Sequence, residues 1–192
     1  MNFTMKNQGF VLVAFVLAMA AMLAGNGAVH AEEISCTGSL GAITVDNVRV
    51  PEGRSCTMTN TRVQGTITVE KNATLSASNV QVVGNIQAEG AKNVKVNAKS
   101  RIGGSIQIVQ GQAAAIDRAF VNGDILFDEN RGYLSATRNA VGGDVQAFQN
   151  SGGVKIASNT IDGNLQCKEN TPRPTGGSNI VQGSKEDQCS RL

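Results

Sequence analysis

The sequence predicts an all-β protein: a single-stranded parallel β-helix with coils of about 20 residues, three short faces and capped ends. Three observations carry this. Glycine recurs once per coil, at Gly65, Gly84, Gly104, Gly123, Gly143, Gly163 and Gly183. Two residues before each stands a β-branched residue: Val63, Val82, Ile102, Val121, Val141, Ile161 and Val181. After each glycine up to Gly163, apolar residues alternate with polar ones, the period-two signature of a half-buried strand.

Residues 1–31 read as a cleaved secretory leader. Lys6 supplies the positive region, Phe10 to Ala24 the apolar run, and Val29-His30-Ala31 a cleavage site before Glu32. A 15-residue apolar run is short of the roughly 20 residues that span a bilayer, so no stable membrane insertion is expected after cleavage. Removing the leader leaves residues 32–192 as one domain. The leader takes Lys6 with it, so 17 basic residues become 16 against 15 acidic ones, and a net charge of +1 makes no electrostatic case for nucleic acid or anionic membrane. His30, the sole histidine, leaves too. The exported chain therefore has no Ser-His or Cys-His pair and no imidazole ligand or base.

At the start of the domain, Gly41, Ile43 and Val45 match the repeat, and Pro51-Glu52-Gly53 reads as a turn inserted before Gly65. Within each coil the second and fourth positions after the glycine are expected to point inward. They are Ile67 and Val69, Ile86 and Ala88, Ile106 and Ile108, Ile125 and Phe127, Val145 and Ala147, then Leu165 and Cys167. The outward first position holds Thr66, Asn85, Ser105, Asp124, Asp144, Asn164 and Ser184, and the third holds Thr68, Gln87, Gln107, Leu126, Gln146 and Gln166. Such columns are expected to form ladders bonded along the axis.

Asn72, Ala91, Gly111, Asn130, Asn150 and Asn170 mark a first corner, rich in residues that tolerate left-handed backbone. A second apolar wall follows: Leu75 and Ala77, Val94 and Val96, Ala114 and Ile116, Tyr133 or Leu134, Val154 and Ile156. Asn60, Asn79, Ser100, Asn139, Asn159 and Asn179 mark a second polar corner, after which the short strand with the β-branched residue closes the triangle. Lys185 and Asp187 fall where inward residues would stand after Gly183, so the last turn reads as a polar cap.

The four cysteines lie in the exported part, Cys36 and Cys56 near its start and Cys167 and Cys189 near its end, each pair separated by about one coil length. Residues one coil apart stack at about 4.8 Å, within the reach of a disulfide, so one local bridge near each end is expected. The spacing lacks the close cysteine pairs of a zinc site.

The phrase V-x-G-[NDST]-[IVL], recurring from Thr61 to Gly183, resembles the repeat of the bactofilins, bacterial cytoskeletal β-helices, and more loosely other small secreted β-helix proteins. The resemblance implies a parallel β-helix that self-assembles through its ends. The export signal and the paired cysteines depart from that pattern. Hexapeptide left-handed helices, with about 18 residues per coil, fit the longer glycine intervals of this chain less well. Coil length and the crossover rule favour right-handed winding.

Regular intervals leave no long loop to build a cleft, which points to a non-enzymatic structural or interaction protein that binds a surface polysaccharide or protein through its flat ladder face. Leu126, Val109 and Phe148 are candidates for a small apolar patch there. The alternative is a polysaccharide lyase or hydrolase. Its weak metal or acid-base candidates are Asp124 and Asp144, one coil apart, with Asp128 farther along; Arg118 and Arg138 stand near them at a corner. Ice binding would need a threonine ladder, and only Thr66 and Thr68 offer one. No cofactor is expected.

Overall fold

A computed structural model describes residues 32–192; the predicted leader lies outside them. Every strand hydrogen-bonds to the equivalent strand one coil away, always in parallel. Three sheets result. Sheet A has nine strands, from Glu33–Ser35 to Lys185–Asp187; sheet B has eight, from Ser39–Leu40 to Thr175–Gly177; sheet C has eight, from Thr44–Val45 to Ile180–Val181. No helix occurs among the described residues, and none is long and apolar enough to cross a membrane.

The predicted register holds. Ile86 pairs with Ile67 on one side and Ile106 on the other, and Ile106 pairs with Ile125. Inward positions of all three sheets form one buried cluster, in which Ile67, Ile86, Ile106, Ile125, Phe127 and Leu165 are wholly enclosed. Each buried aliphatic side chain contributes about 1.5–3 kcal/mol, but a single coil encloses none of them, so stability accumulates by stacking. Where the sequence left Tyr133 or Leu134 open, the structure turns Leu134 inward to pair with Ala114 and Val154, while Tyr133 is 55% exposed.

Three expectations are corrected, and the repeat glycines find their reason. The first concerns the N-terminal frame. Val45 pairs with Val63, and Val48 and Val50 pair with Ile67 and Val69, so Val48 and Val50, rather than Ile43 and Val45, fill the inward strand positions. Gly41 is not the repeat glycine; Ile43 is 47% exposed. The first coil runs Val45-Asp46-Asn47-Val48, one residue shorter than Val63-Gln64-Gly65-Thr66-Ile67, and the missing residue is the glycine.

The second concerns the corners. Left-handed backbone falls at Asn60, Asn72 and Asn79, as read, but in later coils it falls one residue earlier, at Gln110, Glu129, Gln149 and Glu169 and at Arg118, Arg138, Ser158 and Ser178. Asn130, Asn150 and Asn170, and likewise Asn139, Asn159 and Asn179, are buried inside the corners. Here are the amide ladders. Asn130 Nδ2 donates to Asn150 Oδ1 (3.0 Å) and Asn150 Nδ2 to Asn170 Oδ1 (2.8 Å), while each Nδ2 also donates to a carbonyl of the preceding coil, Ile108 O and Phe127 O. The second file repeats this from Asn139 to Asn159 to Asn179. An asparagine inside a dry corner satisfies its own groups and those of the turning backbone together. Nearer the N-terminus the same positions hold Ala91 in the first file and Val80, Ser100 and Ala119 in the second, where Ser100 Oγ accepts from Val80 N at 3.2 Å and donates to Asn97 O at 2.6 Å.

The repeat glycines are explained by contact between coils. None of the seven has positive φ. A β-carbon on Gly143 would instead strike Asp124 Oδ1; on Gly163, Asp144 Oδ1; on Gly104, Asn85 Oδ1; on Gly65, Asn47 Oδ1. Glycine is required because the side chain after the glycine position in one coil leans onto the next coil's corner.

The third concerns how the cysteines meet. The pairs are Cys36–Cys56 and Cys167–Cys189, with Cα–Cα separations of 5.5 and 5.2 Å. They are not simple stacked neighbours. Cys36 follows the first strand of sheet A whereas Cys56 lies in sheet B, so that bridge crosses the N-terminal end of the core. Asp187 is the register partner of Cys167, and Cys189 comes two residues later, folding the final turn back over the core's other end.

Candidate functional site

The first outward column, proposed as a ladder, is one, but with the backbone as donor. Asn47 Oδ1 accepts from Thr66 N (2.9 Å), Asn85 Oδ1 from Ser105 N (2.8 Å), Ser105 Oγ from Asp124 N (2.9 Å), Asp124 Oδ1 from Asp144 N (2.7 Å), Asp144 Oδ1 from Asn164 N (2.6 Å) and Asn164 Oδ1 from Ser184 N (2.9 Å). The corner amide of each coil would otherwise lack a strand partner, so these short polar side chains act as caps. Asp124 and Asp144 are neighbours in this column, and one oxygen of each is committed to the backbone.

Arg118 and Arg138 are not beside them. Both hold Asp117 in ion pairs on the corner between sheets B and C: Arg118 Nε lies 3.0 Å from Asp117 Oδ2 and Arg138 Nη2 2.6 Å from Oδ1. Thr137 Oγ1 adds a third bond at 2.8 Å. Partial burial pushes the Asp117 carboxyl up, but the bonds from Arg138 and Thr137 and the two guanidinium charges outweigh it and hold the group below the usual carboxylate range. Asp128 goes the other way, raised by partial burial and by the adjacent Glu129 charge. Among the described residues no cluster of three or more His, Cys, Asp or Glu side chains is placed to hold a metal.

Sheet A carries the third outward column as read. Gln146 Nε2 donates to Gln166 Oε1 and Gln166 Nε2 to Glu186 Oε2, both at 2.9 Å, but Leu126 separates this run from Gln87 and Gln107. The apolar patch does not form: Asp128 pairs between Val109 and Phe148, and these two and Leu126 are half-buried. Thr66 and Thr68 do not start a threonine ladder either, since Thr66 Oγ1 faces the amide of Asn85 and Thr68 pairs with Gln87.

Two of the open hollows among the described residues bear on binding. One, of about 1150 Å³, runs over the N-terminal half of sheet A, with Thr68, Gln87 and Gln107 on its floor and Lys71, Glu129 and Arg131 at its rim. The other, of about 510 Å³, lies on sheet C, with Val83, Phe120, Asn122 and Thr160 along it. There Arg101 places its guanidinium carbon 4.5 Å from the centre of the Phe120 ring. This second hollow was missed by sequence reasoning, because two-residue strands give no alternation to read.

Fold and surface together define the class: a disulfide-capped parallel β-solenoid with polar outer faces. No known protein family, curated protein or solved structure matches the chain.

Proposed function

We propose that the protein is an exported, non-enzymatic interaction solenoid that binds an extended polar partner, a surface polysaccharide or protein, along the outer face of sheet A. The observation that carries this reading is the hollow floored by Thr68, Gln87 and Gln107. Gln87 and Gln107 are exposed register partners on consecutive coils, and amide side chains bond hydroxyl and peptide groups alike. The floor repeats at about 4.8 Å per coil, which suits a partner lying along the axis.

Export is supported by the leader-like residues 1–31 and by two disulfides, which persist in oxidising compartments. Self-assembly through the ends, which the bactofilin-like phrase implies, is opposed by the disulfides that close both ends, and sedimentation over a concentration series tests it: a strict monomer removes it.

The lyase or hydrolase reading has less beneath it, because Asp124 and Asp144, its best carboxylates, cap backbone amides. Calcium calorimetry on the wild type and on Asp124→Asn/Asp144→Asn checks it; heat lost only in the variant would revive it.

A glycan array, followed by titration of hits against Gln87→Ala/Gln107→Ala, tests the main reading. We expect a hit whose affinity falls about tenfold in the variant, on the scale of two lost hydrogen bonds. A hit unaffected by the variant, or a blank array together with no captured surface protein, overturns it.

A further inference from the structure

Basic residues gather along one edge of this nearly neutral chain. On the corner between sheets B and C, Lys99, Arg118 and Arg138 occupy one turn position in three consecutive coils: the Lys99 amide donates to Arg118 O, and the strand pairs on either side align Arg118 with Arg138. All three are exposed. Lys99 is obscured in the sequence because the extra residue Ala98 enlarges its corner, where Ala98 and Lys99 both have positive φ. Lys95 and Lys155 stand on the adjoining face of sheet B, in one register column, and Arg101 stands on the adjoining face of sheet C. Asp117 is the acid within this ridge. Glu89, Asp128, Glu129 and Glu169 lie instead on sheet A and its far margin, where Lys71, Arg131 and Lys168 stand among them, and Asp124 and Asp144 at the corner where sheet C passes to sheet A.

From this we infer that the ridge between sheets B and C, together with the Phe120 hollow beside it, is a binding site for an acidic polysaccharide lying along the solenoid axis. Six cations face one carboxylate there, so an anionic chain gains by releasing its counterions. Asp117 does not cancel the site; it orders it. Its two ion pairs use Nε of Arg118 and Nη2 of Arg138, which leaves the remaining N–H groups of two positioned forks to meet a carboxylate or sulfate. Beyond them the hollow offers Asn122 and Thr160, matched to hydroxyl groups, next to the Phe120 ring. Asp162 lies at the C-terminal end of that hollow and accepts from Gln182 at 2.8 Å. An anion is disfavoured there, so the acidic partner is confined to the middle coils.

A single-stranded nucleic acid fits less well. Its bases need successive aromatic platforms, and Phe120 is the single aromatic ring of the ridge, with Arg101 already against its face. Oxidising surroundings, which the disulfides suit, also favour a surface glycan. The ridge is separate from the sheet A hollow, so the two readings succeed or fail independently.

The test uses the chain with both disulfides intact. Binding of polygalacturonate and heparin is measured at low and high salt, with dextran as the neutral polymer and a poly-dT strand as the nucleic acid. Lys95→Glu/Lys99→Glu/Lys155→Glu reverses three charges without touching the Asp117 pairs, and Arg118→Gln/Arg138→Gln removes the forks. A melting curve for each variant checks the fold. We expect one acidic glycan to bind, with affinity falling at least tenfold in the lysine variant and steeply with salt. Loss of this binding with an unchanged Gln87/Gln107 response would assign it to the ridge. Equal binding of dextran, tighter binding of poly-dT, or undiminished binding in a folded lysine variant overturns the inference. So does the absence of glycan binding beside a salt-sensitive self-association that the lysine variant abolishes, which would make a second copy the occupant.

Discussion

Asp124 Oδ1 occupies the space that a β-carbon on Gly143 would need, and accepts the amide of Asp144 at 2.7 Å. The repeat glycine and the short polar residue that follows it are thus complementary halves of one device, with each coil's cap seated over the next coil's glycine.

Gly143→Ala should destabilise the fold by about 1–3 kcal/mol through overpacking. Asp124→Ala should cost about 1 kcal/mol by leaving the Asp144 amide without its acceptor. The double variant should cost less than the sum, since removing the carboxylate clears room for the methyl group. Urea denaturation of all four proteins measures the coupling; strict additivity would contradict the contact.

The buried amide files predict a sharp contrast between asparagines. Asn150→Leu strands the donors on Asn130 and the carbonyl of Phe127, leaves Asn170 Oδ1 with the residue-150 backbone amide alone, and should cost about 3 kcal/mol or more. Asn60, exposed with φ of 58°, does a different job: Asn60→Gly should change stability by less than about 1 kcal/mol. Similar melting temperatures for the two would mean the ladder contributes nothing.

Each disulfide closes a loop of 20 or 22 residues, worth about 3 kcal/mol when only chain entropy is counted. Cys167→Ala/Cys189→Ala should in addition free the last turn, lowering hydrogen-exchange protection at Leu165–Lys168 before it falls at Ile106–Val109. Uniform loss of protection along the solenoid would show that the bridge is not a local cap.

Asp117 predicts a pH dependence with a definite sign. Its pKa is lowered in the folded state, so the stability it contributes is present above the unfolded value of about 3.9 and lost as pH falls through the lower folded value. Carboxyl resonances in an NMR titration should place its midpoint below that of an unpaired aspartate, and Arg138→Gln should raise it. An unmoved midpoint would mean the Arg138 pair is not formed in solution.

Periodicity was legible in the sequence because a solenoid repeats its physics: the same inward, outward and corner roles return every coil, so Ile86, Ile106 and Ile125 could be aligned without coordinates. Where the period is broken the reading slipped. One missing residue at Val45-Asp46-Asn47-Val48 shifted the first coil's frame, and Ala98 hid Lys99 from the column of Arg118 and Arg138.

By itself, then, the chain determined its fold class and most of the residues of its core, since both follow from coil length and alternation; the expected cysteine pairs form, but across corners rather than as the stacked neighbours that coil length implies. Only the tertiary structure decided what the glycines clear, which asparagines are buried, and which charges share a surface. Those depend on contacts between coils and around corners, where a one-residue displacement separates a left-handed turn from an enclosed amide. The partner of Asp117 is such a case: Arg138 lies a full coil away along the chain and 2.6 Å away in space.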